Sequence, residues 1–333
     1  MLDLTTADEM TEERLKRLEA KIQRTYNRSV REMKKKIRDE LDGYSRQINK
    51  WKKDLDEGKA TQAEFDEWLS KNAFQSPSNK EMIKVLVEDT YNSNAIAAQI
   101  IKDHTYDVYA LNANMTAYEI DSDIGYYTNY TLYSKDTVER LVAENPELLP
   151  DISIDKAKDV AWNSKKLRNE LTQGILQGES AQRIAKRYER VLGMNRHSAI
   201  RNARTATTSA QNGGRLRSFE RAKDLGIGVK KIWFATVDGK TRHSHRMLDG
   251  QTKELNKPFI SGNGYKLMYP GDPSAHPSEL YNCRCRIVGK TKYSEVDHKD
   301  LSRRFVRMPE GTTYKEWKNE GKKAGKKGKS YGV

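Results

Sequence analysis

Cysteine is nearly missing from this chain: 333 residues hold two, both in one Cys283-Arg284-Cys285 unit. That excludes a disulfide-stapled secreted scaffold and points to manufacture and use in a reducing cytosol. Long apolar runs are missing too, and none approaches the roughly 18 residues of a membrane span. The start, Met1-Leu2-Asp3-Leu4 followed by Asp8, Glu9, Glu12 and Glu13, has neither the basic nor the apolar region of a secretory signal. Several catalytic signatures are also lacking: the His-x-Glu and Pro-Cys-x-x-Cys pair of zinc deaminases, the His-Glu-x-x-His metalloprotease helix, the Gly-x-Ser-x-Gly elbow and the Walker A loop. Hydrophobic residues reach only 36% against 32% charged, with mean hydropathy −0.91. This is polar for a compact enzyme and suggests long solvated helices or exposed tails. What the chain does have is positive charge: 61 Lys+Arg against 47 Asp+Glu give +14, so a polyanionic partner is expected.

The length suggests roughly two domains. Leu15, Leu18, Ile22, Tyr26, Val30, Met33, Ile37 and Leu41 recur in steps of three and four, which predicts one long amphipathic helix. So narrow a stripe needs a partner surface, from another helix of the chain or from another subunit. Further helices are predicted over about 61–71, 80–113, 135–145 and 155–178, then from Ser180 through Leu192 and from Asn195 to Asp224. Tyrosines and β-branched residues near 116–135 read as a short hairpin or extended insert. After Gly226 the texture changes: Ile227, Val229, Ile232 and Phe234 form a strand that enters the Asp238-Gly239 turn, and 283–288 reads as a closing strand. The expected organisation is a mainly α region over 1–225, a small α+β domain over 226–300 and a basic tail over 301–333, disordered from Gly321.

Chemistry-bearing residues concentrate in the small domain: Asp238, Arg242, His243, His245, Asp249, His276, Cys283 and Cys285. Two thiolates and an imidazole suit a structural Zn2+, with His243, His276, Asp238 or water as the fourth ligand. In a strand, residues two apart face the same side, so both sulfurs can reach one ion. The alternative is a pair of small reduced thiols packing a strand, with the histidines exposed. Charge concentrates in two other places. Arg183–Lys223 holds eleven bases and two acids, and Lys322, Lys323, Lys326, Lys327 and Lys329 have no acidic counterweight. The lysine tail is the better candidate for non-specific DNA binding.

A set of motifs falls in a familiar order: Leu171-Thr172-Gln173-Gly174-Ile175, Gly178-Glu179-Ser180, Arg201-Asn202-Ala203-Arg204-Thr205 and Ser209-Ala210-Gln211-Asn212. These are followed by Trp233-Phe234-Ala235-Thr236-Val237-Asp238, Lys240 through Gln251, Tyr269-Pro270-Gly271-Asp272-Pro273 and Asn282-Cys283-Arg284-Cys285. Over about 160–290 the chain resembles the Mu-F-like minor head proteins of tailed bacteriophages. The resemblance implies a structural, non-enzymatic head morphogenesis protein in the virion interior, assembled in the host cytoplasm and present in few copies. It further implies association with the portal protein, contact with the major capsid or scaffolding protein and with packaged DNA, and a part in procapsid assembly, packaging or genome ejection. His245 falls on the family's histidine position, which makes His245, Cys283 and Cys285 the best trio for a metal. Where family members often carry Arg-Thr-Glu, this chain has Arg204-Thr205-Ala206. The competing function is a metal-dependent nucleic-acid-processing enzyme built on the same His/Cys cluster.

Overall fold

The computed structural model describes residues 6–75, 77–151, 157–291 and 298–326. The chain is mainly α, with a few short antiparallel strands after residue 226. Three long helices dominate: α1 (Thr6–Asp56), α3 (Pro77–Ile124) and α6 (Ala181–Asp224). The shorter α2 (Gln62–Gln75), α4 (Lys135–Glu144) and α5 (Ala157–Leu176) lie between them in sequence. Two compact units share these helices, one formed by 1–16, 101–152 and 201–333, the other by 17–100 and 153–200.

In the second unit the stripe of α1 finds its partner within the chain. Ile22, Tyr26, Ile37, Leu41 and Ile48 are buried, as are Leu167 and Leu171 of α5 and Ile184, Tyr188 and Leu192 of α6. Tyr26 Oη donates to Asn94 Oδ1 at 2.7 Å, and Tyr188 Oη donates to Asp89 Oδ2 at 2.5 Å. Arg187 donates from Nε to Glu179 and from Nη1 to Glu170, at 2.7 and 2.9 Å. A capping box opens α2: Thr61 Oγ1 accepts from the Glu64 amide, and the Glu64 carboxylate accepts from the Thr61 amide at 2.8 Å. Residues 181–224 form one unbroken helix, where two separate helices were expected, and Gly193 sits inside it in open space.

The other unit carries the strands. Helix α6 ends in a Schellman turn: the Ile227 amide reaches the Ala222 carbonyl, the Gly226 amide reaches Lys223, and Gly226 takes the left-handed conformation at φ +85. This turn launches β2 (Val229–Phe234), which lies between β3 (Thr252–Glu254) and β6 (Arg286–Thr291) in an antiparallel sheet. Val288 stands opposite Ile232, and Arg286 opposite Phe234. Alternate residues of β2 are buried, namely Val229, Lys231 and Trp233. Lys231 is held by donating to the carbonyls of Leu255 and Met268 at 2.9 and 2.8 Å. Between β3 and β6 lie β4 (Phe259–Ile260) and β5 (Lys266–Leu267), paired with each other. The strands share one core with Ile120 and Ile124 of α3 and with Leu216, Phe219 and Ala222 of α6.

Two local readings change. Residues 116–124 are helical, because Ile120 and Ile124 lie four apart on the buried face of α3, and that packing overrides their β-forming composition. The extended part is only β1 (Tyr126–Tyr127), which pairs with β7 (Val306–Arg307). The expected disorder from Gly321 is also corrected in part, because after α9 (His298–Arg304) the chain forms a further helix, α10 (Tyr314–Lys326). Its own capping box, Thr313 with Glu316, starts it, and Trp317 anchors it by donating from Nε1 to Asp121 at 2.8 Å. Residues 327–333 of the predicted tail lie outside the described residues.

Candidate metal centre

The sheet and two one-turn helices, α7 (His243–Arg246) and α8 (Pro277–Leu280), converge on a buried group. His245 is 2% exposed, as are Cys283 and Cys285. Imidazole Nδ1 lies 3.5 Å from Cys283 Sγ and 3.6 Å from Cys285 Sγ. A tetrahedral Zn2+ with Zn–S about 2.3 Å and Zn–N about 2.0–2.1 Å separates sulfur from nitrogen by about 3.6 Å. The three donors therefore fit a zinc centre in type, spacing and burial.

The imidazole is oriented from behind. Its Nε2 lies 2.8 Å from Glu279 Oε2, and Glu279 is itself 1% exposed. The carboxylate also accepts from Ser244 Oγ at 3.1 Å and from Asn263 Nδ2 at 2.7 Å. Desolvation pushes the Glu279 carboxyl up, but these donors and the imidazole outweigh it and leave the pKa below the ordinary value. A carboxylate on one ring nitrogen fixes the tautomer that presents the other to a metal. Sequence reasoning missed Glu279, because Ser244, Ser261, Asn263 and His245 meet it only through the fold. Trp233 packs edge-on against the imidazole, with ring centroids 5.4 Å apart.

The thiols are electrostatically unequal. The hydrogen bond between them, together with burial, drives Cys283 well above the ordinary thiol pKa. The same bond draws Cys285 down to about 5 against the cost of burial, helped by the neighbouring imidazole. A metal takes its sulfur ligands as thiolates, and the neighbouring imidazole favours that form at Cys285.

The Cys-Arg-Cys backbone is seated on α6. Thr208 Oγ1 donates to the Cys283 carbonyl at 2.5 Å, and Thr205 Oγ1 accepts from the Asn282 amide at 3.1 Å. Asn212 donates to the carbonyls of Cys285 and Pro270 and accepts from the Ile287 amide at 2.7 Å. Ala206, between Thr205 and Thr208 on α6, is buried.

The other predicted residues stand apart from the trio. Asp238 is clamped by both Arg284 nitrogens at 2.6 and 2.7 Å, which holds its carboxyl well below the usual range. Exposed His276 stacks on Tyr265 at 4.5 Å, and its Nδ1 lies 2.8 Å from Ser278 Oγ. His243 is exposed on α7. Among the described residues, the group able to hold a metal is His245, Cys283 and Cys285. Of the tail lysines, 322, 323 and 326 belong to α10, and 327 and 329 lie outside the described residues.

A second buried polar group ties the same sheet to the first turns of α1. Arg215 Nη2 pairs with Asp8 at 2.6 Å, its Nε donates to Asn112 Oδ1 at 3.3 Å, and its Nη1 donates to the Ile287 carbonyl at 3.1 Å. Gln211 donates to the same Asp8 oxygen at 2.7 Å. Arg187 and Arg215 of the basic Arg183–Lys223 stretch are thus engaged inside the protein.

Residues 165–288 match the family of Phage Mu protein F like proteins. The chain is 27% identical to the minor head protein GP7 of Bacillus phage SPP1 over 223 residues, covering 64% of this chain and 69% of that protein. It is also 27% identical over 273 residues to the NAD(+)–arginine ADP-ribosyltransferase EFV of Enterococcus faecalis, covering 73% of this chain but only 55% of that one. No solved structure matches. The matched segment holds most of α5, all of α6, β2 and the His/Cys group, and over it the chain is similar to the Mu-F-like phage head morphogenesis proteins.

Proposed function

We propose that this protein is a minor head protein of a tailed bacteriophage. In this reading it associates with the portal protein, contacts capsid or scaffolding protein, and acts in procapsid assembly, DNA packaging or ejection. Its place is the virion interior, after assembly in the host cytoplasm. The observation that carries the reading is the family match over 165–288, which contains both the α6 seat and the Cys-Arg-Cys segment resting on it, just before β6. The test is quantitative mass spectrometry of purified heads, with co-purification of the portal protein. A few copies per head, and loss of those copies when the reading frame is interrupted, support the proposal. Heads that lack the protein contradict it.

In this reading a Zn2+ held by His245, Cys283 and Cys285, with water as fourth ligand, is structural and closes the chain between residues 245 and 283. Small regions with little core of their own gain stability from such a staple. The tail lysines 322, 323, 326, 327 and 329 add non-specific contact with packaged DNA. A second reading, a metal-dependent nucleic-acid-processing enzyme, draws on the three-ligand set, which is also the pattern of catalytic zinc. The ADP-ribosyltransferase relative adds a second activity to assay. Nuclease and ADP-ribosyl-transfer assays on the metal-loaded protein separate these readings: turnover that depends on His245 favours an enzyme, and bound metal without turnover favours the staple.

A further inference from the structure

The outer face of α1 carries an ordered array of charge. Lys21, Arg24, Arg28, Arg31, Lys35 and Arg38 follow one another in steps of 3, 4, 3, 4 and 3, and all six are exposed. At 100° per residue they form one stripe, on the side of the helix opposite buried Ile22, Tyr26 and Ile37. From Lys21 to Arg38 the chain has eight bases and a single acid, Glu32. Lys34, off the stripe, is paired with Glu189 at 2.6 Å. None of the six stripe residues takes part in a side-chain ion pair among the described residues.

The same helix uses the opposite arrangement elsewhere. Glu12 pairs with Lys16 at 2.9 Å and Asp42 with Arg46 at 3.2 Å, both four residues apart, as on an ordinary solvated helix. Between them, like charges sit three and four apart at five successive steps, an arrangement that destabilises a helix left in solvent. An external polyanion along the stripe removes that repulsion.

We propose that this stripe is a binding surface for duplex DNA, contacted through its phosphates and without sequence preference. Seventeen helical steps span about 26 Å, and a duplex presents one phosphate charge per about 1.7 Å of axis. Every register along the duplex therefore offers phosphates to all six bases, and no base-edge reader is needed. The choice of DNA among polyanions rests on the head-protein reading, whereas the attraction to phosphate rests on the stripe alone.

The test uses the full-length protein carrying Arg24→Gln, Arg28→Gln, Arg31→Gln and Lys35→Gln together, titrated with a short blunt-ended duplex of random sequence at several salt concentrations. Each lost phosphate contact removes about 0.9 from the log–log salt slope, so the slope is expected to shrink by roughly three to four. Circular dichroism and melting should stay as in the parent, because Gln is a good helix former. Arg24, Arg28 and Arg31 changed to Lys should keep the parent slope, since the contact is charge rather than fork geometry. A parallel variant with the five tail lysines changed to Gln reports the tail separately. An unchanged slope in the stripe variant overturns the proposal, as does complete loss of DNA binding in the tail variant. Competition by polyglutamate as strong as by duplex of equal charge overturns it in favour of an acidic protein partner. Incorporation of the stripe variant into heads is scored independently, so the head-protein reading stands or falls apart from the stripe.

Discussion

The sheet region around His245 and the outer face of α1 handle charge in opposite ways. In the sheet region, buried ionic groups have partners drawn from distant parts of the chain: Glu279 holds His245, and Asp8 answers Arg215 across 207 residues. On α1, six exposed bases within 18 residues have no such ion-pair partners among the described residues. Burial explains the first arrangement, because an unpaired charge in a low-dielectric interior costs several kcal/mol. Solvent permits the second, because water and salt screen the repulsion until a polyanion replaces them. The first pattern is therefore important for stability and the second for association.

Substitutions in the two regions should differ accordingly. The largest stability effect is expected from Arg215→Met, which leaves Asp8 buried without its 2.6 Å partner. Loss of about 3–5 kcal/mol in denaturant unfolding is the expected result. Glu279→Gln removes the carboxylate behind His245 and should weaken zinc binding about 10–100-fold in chelator competition, with little change in the melting of the metal-free chain. Equal affinity in the variant would reduce Glu279 to a packing role.

A subtler effect is a pH dependence centred on Asp121. Burial raises its pKa to about 7 against the lowering bonds from Thr128 and Trp317. The folded state therefore keeps a proton that the unfolded chain releases between about pH 4 and 7, so this group's contribution to stability falls as pH rises through that window. Asp121→Asn lacks the contribution, and its melting temperature relative to the parent should climb from pH 5 to pH 7. His104 titrates in the opposite sense, held down at about 4 mainly by burial, and it cancels in the comparison of the two proteins. Smallest of all is the stability change in the four-Gln stripe variant, expected within about 0.5 kcal/mol and in the stabilising direction. A large loss there would show that the stripe supports the fold and would erase the contrast between the two regions.

How legible each region is follows from sequence distance. The core stripe of α1 and the strand after Gly226 repeat at local periods, so the sequence shows them directly. The Cys-Arg-Cys unit and His245 stand out because their residue types are rare here. Glu279 looks like any acid in a Pro-Ser-Glu-Leu turn, and its role exists only where residues 244–245, 261–263 and 279 converge. Asp8 is equally silent, one acid among several at the start of α1. Helix α10 is a different case: Thr313 and Glu316 form a readable capping box, masked by the glycines and lysines that follow.

The claim that a bound ion closes the sheet region is tested most directly by native mass spectrometry of the full-length protein, paired with melting in the presence and absence of a chelator. One zinc per chain, lost together with thermal stability on chelation and lost in Cys283→Ser, is the predicted result. A metal-free mass with a melting temperature indifferent to chelator would contradict the claim and leave the thiols as packing in the buried segment before β6.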